Sequence, residues 1–232
     1  MTDSSLTAVS GRVAASAVDP STLPWWARRS GFGWVTVITG LFSLFAAGTL
    51  VGERIQLYID ANHTTSCDLG GAFSCSTVMK STAAQAFGFP NPLIGLVGFT
   101  IVLVIGVTVL SGASMPRWYW VAFQVGVLAA FAFLVWLYSE AVYVIGALCL
   151  YCMICWAMMI FLVVISLARN ILTCVLAAPS WLISWARGWA MMTAILIAIA
   201  CAATIFFRFM GLLFPNACAA RTEHDEGPLP DR

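Results

Sequence analysis

The chain has 232 residues, 61% of them hydrophobic and 9% charged, with a formal net charge of +1. Soluble domains carry about 25% charged residues, so this composition excludes a soluble globular protein and indicates a polytopic membrane protein. The near-neutral balance leaves no basic patch for phosphate, which excludes a nucleic-acid partner.

Residues 1–32 read as a polar N-terminal tail with no apolar stretch of its own. Five apolar runs follow, each near the roughly 20 residues a helix needs to cross a bilayer core. They cover about Gly33–Leu57, Leu93–Leu110, Trp118–Tyr138, Val142–Leu167 and Ala190–Leu213. Inside lipid such segments must be helical, because no water is there to satisfy the backbone. The expected fold is therefore all-α: a four-helix transmembrane bundle over residues 33–168, with a loop at 58–92. A connection at 169–189, a fifth transmembrane helix at 190–213 and a polar tail at 214–232 complete it.

Basic residues set the orientation. Arg28 and Arg29 precede the first span, Arg117 lies between the second and third, and Arg169 and Arg187 lie between the fourth and fifth. The other side holds Asp60, Asp68, Lys80, Glu140 and the acidic tail. The positive-inside rule places the N-terminus in the cytoplasm and the 58–92 loop outside. An uncleaved first span fits better than a removed signal, and the Arg28-Arg29 pair fits topology better than twin-arginine export. Trp25, Trp26, Trp34, Trp118, Trp181, Trp185 and Trp189 sit near the cytoplasmic span ends as an aromatic belt. The last three recur every four residues, on one face of an interfacial helix.

Four of the eight cysteines carry the chemistry. Cys67 and Cys75 lie in the outward loop, and Cys152 and Cys155 form a C-x-x-C near the outer start of span four. On a helix, residues three apart share a face. A thiolate at a helix start is favoured by the dipole and free N–H groups. Both pairs lie outside the cytoplasm, where disulfides persist. Gly70 and Gly71 allow the loop to bend between Cys67 and Cys75. Ser76 is placed to cap a lid helix running Thr77–Phe87, ended by Gly88 and Pro90.

Other readings are weaker. Cys149 makes the run C-x2-C-x2-C, but the ferredoxin pattern wants a fourth Cys where Met159 stands. Cys149 reads as an apolar filler or spare thiol above the site. Cys174 and Cys201 read as plain hydrophobes, and Cys218 takes no role. A zinc site is disfavoured because Cys155 is set too deep to join loop residues in a closed shell. His63 and His224 read as solvated, so no metal is expected.

The motifs Cys67-Asp68-x6-Cys75-Ser76-x-Val78, Ser81, Phe87-Gly88, Asn91-x3-Gly95 and Cys152-x2-Cys155 together resemble the bacterial branch of the vitamin K epoxide reductase family. The resemblance covers about residues 33–168 and lacks the thioredoxin-like domain fused to some relatives. It implies a four-helix bundle holding a quinone near its outer end. Cys155 would then face the quinone, with Cys152 its exchange partner. Cys75 would form the mixed disulfide with Cys152, and Cys67 would meet the external dithiol. Asn91 would hydrogen-bond a quinone oxygen, Ser81 would support the site, and Met79, Phe87 and Met159 would line it. Vertebrate members have a tyrosine four residues after the second C-x-x-C cysteine, where Met159 stands here.

The resemblance implies a thiol:quinone oxidoreductase in the cell's inner (plasma) membrane. It would reoxidise a thioredoxin-like extracytoplasmic partner and reduce menaquinone or ubiquinone in the surrounding lipid, supporting disulfide formation in exported proteins. Reduction of a quinone epoxide, or a nonenzymatic scaffold with structural cysteines, are the rivals.

Overall fold

A computed structural model describes residues 23–213. The expected tails at 1–22 and 214–232, with Cys218 and His224, lie outside the described residues. Seven α-helices occur among those described: α1 (Arg29–Ile59), α2 (Cys75–Lys80), α3 (Asn91–Leu110), α4 (Arg117–Ser139), α5 (Leu150–Leu172), α6 (Ser180–Gly188) and α7 (Ala190–Leu213). A 3₁₀ turn at Thr82–Gln85 follows α2, and α4 runs on into a π-helical stretch at Glu140–Ile145. Five of the helices are long and apolar enough to cross a membrane.

Helix α5 is the hub. It packs against α1, α4, α6 and α7, while α1 and α3 form a tight pair of their own. Two glycines make that pair possible. A Cβ on Gly40 would sit 3.0 Å from the Leu103 backbone nitrogen, and one on Gly106 would sit 2.8 Å from that of Val37. Backbone meets backbone there, as small residues permit in membrane bundles. Buried Thr36 and Thr39 donate their hydroxyls to the Phe32 and Val35 carbonyls, so neither leaves a bare polar group in the core.

Helix α7 buries Ala190 and Ala194 on its inner face. Further along, its Ile205 and Phe209 pack in one cluster with Val142, Leu148 and Trp156. The fifth span thus buttresses the start of α5. Helix α6 is short and carries exposed Trp181 and partly buried Trp185, with Trp189 at its C-cap. The Trp185 indole donates to Thr193 Oγ1 at 2.9 Å, tying the interfacial turn to α7.

Three expectations need correction. The fourth span begins at Leu150 and not at Val142, which belongs to the π-helical end of the third. Gly146 breaks the helix in the left-handed region (φ 67°), and the next residues leave the helical ladder to pair with the lid. The lid helix is also shorter than Thr77–Phe87. Ser74 and not Ser76 caps it, accepting from Thr77 N, and the backbone turns extended at Ser81. Finally, Cys174 is exposed, in a left-handed turn just past α5.

The Gly106 contact yields a direct test. Gly106→Leu forces side-chain volume against the α1 backbone and should cost about 1–3 kcal/mol, as overpacking does. Gly52→Ala, where nothing lies within 4 Å of the added atom, should leave thermal unfolding in detergent unchanged or slightly raised.

Candidate functional site

The site assembles around one backbone contact. The Leu148 N–H donates to Ala72 O at 2.8 Å, and the Ser74 N–H donates to Leu148 O at 3.0 Å. This short parallel bridge, between Phe73 and Leu148, lies two residues before Cys75 on the lid and one before Cys149 at the α5 N-cap. The two sulfurs therefore meet: Cys75 Sγ is 3.1 Å from Cys149 Sγ, and both are buried.

Cys75 is also disulfide-bonded to Cys67, with a Cα–Cα distance of 5.7 Å. Gly70 and Gly71 both have positive φ (82° and 61°), as the bend between the two cysteines requires. Asp68 anchors the loop. Its carboxylate accepts from Thr65 N and Ser76 N, each at 3.1 Å. Burial alone would raise this carboxyl, but the hydrogen bonds from Ser76 and Thr65 win and hold it at about 2.

The end of α1 fastens the same loop. Glu53 accepts from Ser66 N at 3.0 Å and meets His63 Nε2 at 3.0 Å, so His63 has a partner and is not simply solvated. Ser66 Oγ lies 3.1 Å from the Tyr151 hydroxyl, inside the cysteine run itself. Arg54 was not singled out in the sequence. It is buried on α1, donates through Nη1 to the Met79 carbonyl at the end of α2, and reaches Tyr58 OH through Nη2. An arginine late in a long apolar run is the signal that could have found it.

Cys149, Cys152 and Cys155 descend along α5 and all line one cavity of about 900 Å³. Helix α3 supplies Ile94, Gly98 and Val102 to its wall, and α4 supplies Phe123, Ala130 and Phe133. The cavity fills the gap between those two helices and its wall is almost wholly apolar. All five residues expected around a quinone, Met79, Ser81, Phe87, Asn91 and Met159, face it.

Two of those five are already engaged. Asn91 Nδ2 donates to Ala83 O at 2.7 Å and its Oδ1 accepts from Ala86 N, which stitches the 3₁₀ turn to the start of α3. Ser81 Oγ donates to Val78 O at 2.7 Å. Asn91 retains one N–H for a ligand, since an amide nitrogen carries two.

The cysteine run contains two overlapping C-x-x-C pairs, and the motif match falls on the inner one. The resemblance pairs Cys75 with Cys152 and leaves Cys149 as an apolar filler or spare thiol above the site. The sulfur against Cys75 is instead that of Cys149, because the turn after Gly146 carries the α5 N-cap up to the lid. Cys149, and not Cys152 or Cys155, occupies the helix start. Hydrogen bonding from the Cys152 side chain lowers its thiol below the ordinary value; burial opposes this, and the Cys152 and Tyr151 N–H groups assist it. Counted from Cys152, the place of the vertebrate tyrosine is Trp156, which lines the cavity and stacks edge-on to Tyr138.

Cys67, Cys75 and Cys149 place their sulfurs within 4.8 Å of one another. A metal there would need thiolates from the two sulfurs that the disulfide joins, so ion and disulfide exclude each other.

An all-helical membrane protein with a disulfide set against a row of cysteines on an apolar cavity fits the class of membrane oxidoreductases. Residues 34–167 match the model of the vitamin K epoxide reductase family, and the chain belongs to that family. No curated protein matches the chain.

The Asp68 carboxylate makes a pH-dependent prediction. Its folded value lies below the ordinary 3.8, so its contribution to stability is full above that value and fades as pH falls through about 2. Asp68→Asn should melt at lower temperature than wild type at pH 7. The gap should narrow below about pH 4 and close near pH 2. A gap independent of pH would mean the carboxylate charge contributes nothing.

Proposed function

We propose that this protein oxidises a thioredoxin-like extracytoplasmic dithiol and delivers the electrons to a quinone in the cell's inner membrane. The observation that carries this is the 3.1 Å contact between the lid disulfide and Cys149, at the mouth of an apolar cavity open between α3 and α4. A protein dithiol must stay in water and an isoprenoid quinone in lipid. A site at the membrane edge serves both.

The exchange proceeds in balanced steps. The partner's thiolate attacks the Cys67–Cys75 disulfide, leaving the partner oxidised and both lid cysteines reduced. The Cys75 thiolate attacks Cys149 in a Cys149–Cys152 disulfide, forming the Cys75–Cys149 bond and releasing Cys152 as a thiolate. Cys67 then attacks Cys75, which restores the lid disulfide and frees Cys149. Exchange needs a thiolate attacking and a good leaving thiol, and the lowered Cys149 thiol at the helix start suits the resolving step. Two electrons and two protons pass from the Cys149/Cys152 pair to the quinone, which regenerates their disulfide.

The cavity fits a quinone by size and by its apolar wall, with the thiols at the lid end. Asn91 and Trp156 both line the cavity, and we assign the second N–H of Asn91 and the Trp156 indole to the ring oxygens, with Met79, Phe87 and Met159 packing around the ring. Menaquinone and ubiquinone both suit it. Reduction of a quinone epoxide is the second reading; it uses the same electron direction and rests on the family alone.

Quinone reduction followed by absorbance, with a reduced thioredoxin-like protein as donor, tests the proposal. Wild type should turn over, and Cys149→Ser should fall to background. Cys75→Ala should lose oxidation of the protein donor while keeping part of the activity with a small dithiol. Equal loss with both donors would sink the relay, and quinone formed from added epoxide would favour the second reading.

A further inference from the structure

We propose that Cys155 is a second disulfide partner for Cys152, so that one disulfide can shift along the cavity wall between Cys149–Cys152 and Cys152–Cys155. The inference rests on the thiol–quinone reading and adds a step to it. That reading uses four cysteines and leaves Cys155 idle, although Cys155 is buried and lines the same cavity as the active pair.

Geometry puts Cys152 between two partners, Cys149 at the extended N-cap and Cys155 one turn into the helix. Cys152 stands three residues from Cys149 and three from Cys155, near the N-terminal end of α5. Residues three apart on a helix share a face, with Cα atoms about 5 Å apart, inside the range a disulfide spans. The Cys155 sulfur makes a long 3.8 Å contact to the Ser43 carbonyl on α1. Cys149, at the other end of the row, is the one against Cys75.

The step is a thiol–disulfide exchange with no net redox change. In the outward direction, the Cys149 thiolate attacks Cys152 in a Cys152–Cys155 disulfide. The Cys149–Cys152 bond forms, the Cys152–Cys155 bond breaks, and the proton lost by Cys149 ends on Cys155. The inner disulfide is made when the Cys152/Cys155 dithiol gives two electrons and two protons to the quinone. Oxidation can then occur deep in the cavity while Cys149 remains reduced beside the lid. The bond moves outward by one helical turn before Cys75 meets it.

Peptide mapping of the full chain in lipid nanodiscs tests this. The reduced protein is oxidised with a short-chain ubiquinone analogue, quenched in acid, alkylated and digested with chymotrypsin. Cleavage after Tyr151 and Trp156 separates Cys149 from a Cys152–Trp156 peptide. Part of that peptide should be unalkylated and lighter by two hydrogens, which marks an internal Cys152–Cys155 bond. Cys155→Ser should abolish this species and leave only the cross-link to Cys149.

Cys149→Ser that retains wild-type elution and melting should still reduce quinone for a single turnover and carry the inner disulfide, although it cannot pass electrons onward from Cys75. Cys155 alkylated in every wild-type peptide, alongside a Cys149–Cys152 cross-link, would overturn the inference while leaving the oxidoreductase reading intact. That outcome decides the matter even if Cys149→Ser fails to fold. A folded wild-type chain that reduces no quinone and forms no disulfide in the run would overturn both.

Discussion

The bridge between Leu148 and the lid is the constraint on which the site depends. Two backbone hydrogen bonds hold residues 72–74 against the start of α5 and set the sulfurs of Cys75 and Cys149 face to face. Without it the loop disulfide would be a surface staple and the α5 cysteines a row of buried thiols. Backbone pairing suits this purpose because it fixes the register of residues 72–74 against Leu148, and a one-residue slip there would turn Cys75 away from Cys149. Gly146 makes the pairing possible by ending one helix and freeing three residues before the next begins.

The surrounding structure holds that register. Asp68 uses both carboxylate oxygens to close the cysteine loop, Glu53 ties Ser66 and His63 to the end of α1, and Arg54 takes the Met79 carbonyl at the end of α2. Hydrogen bonds to charged groups contribute about 1.5–3 kcal/mol each, more than neutral ones. The lid is thus fastened to the bundle by charges along one side and by Asn91 on the other. Beneath it, the gap between α3 and α4 stays open because each of those helices packs on a different neighbour. The helices α1 and α5 serve as the shared wall.

Much of this was legible in the sequence. Apolar runs of bilayer length identify five spans because lipid forces the backbone into helices. The motif set around Cys67, Cys75, Ser81 and Asn91 resembles one family because such spacing places a loop over a helix end. The residues Met79, Ser81, Phe87, Asn91 and Met159 do face one cavity. What the repeat left open was which of its thiols lies against Cys75. In Cys149-x2-Cys152-x2-Cys155 both halves satisfy C-x-x-C, and periodicity cannot rank identical spacings. The start of the lid helix was misplaced for a related reason: Ser74 and Ser76 are both competent caps, and only the neighbouring backbone selects one; its early end comes from the extended backbone at Ser81.

The sequence by itself determined the class of protein: a helical membrane bundle with clustered cysteines at one end, set by composition, span length and cysteine spacing. Tertiary structure decided which thiol meets which. Contact between Cys75 and Cys149 joins residues 74 apart in the chain, through a turn whose start depends on where α4 stops winding. It also decided that the Asn91 amide holds the lid as well as facing the cavity, and that Arg54 lies buried beside Met79. These follow from packing between distant segments, which local spacing does not encode.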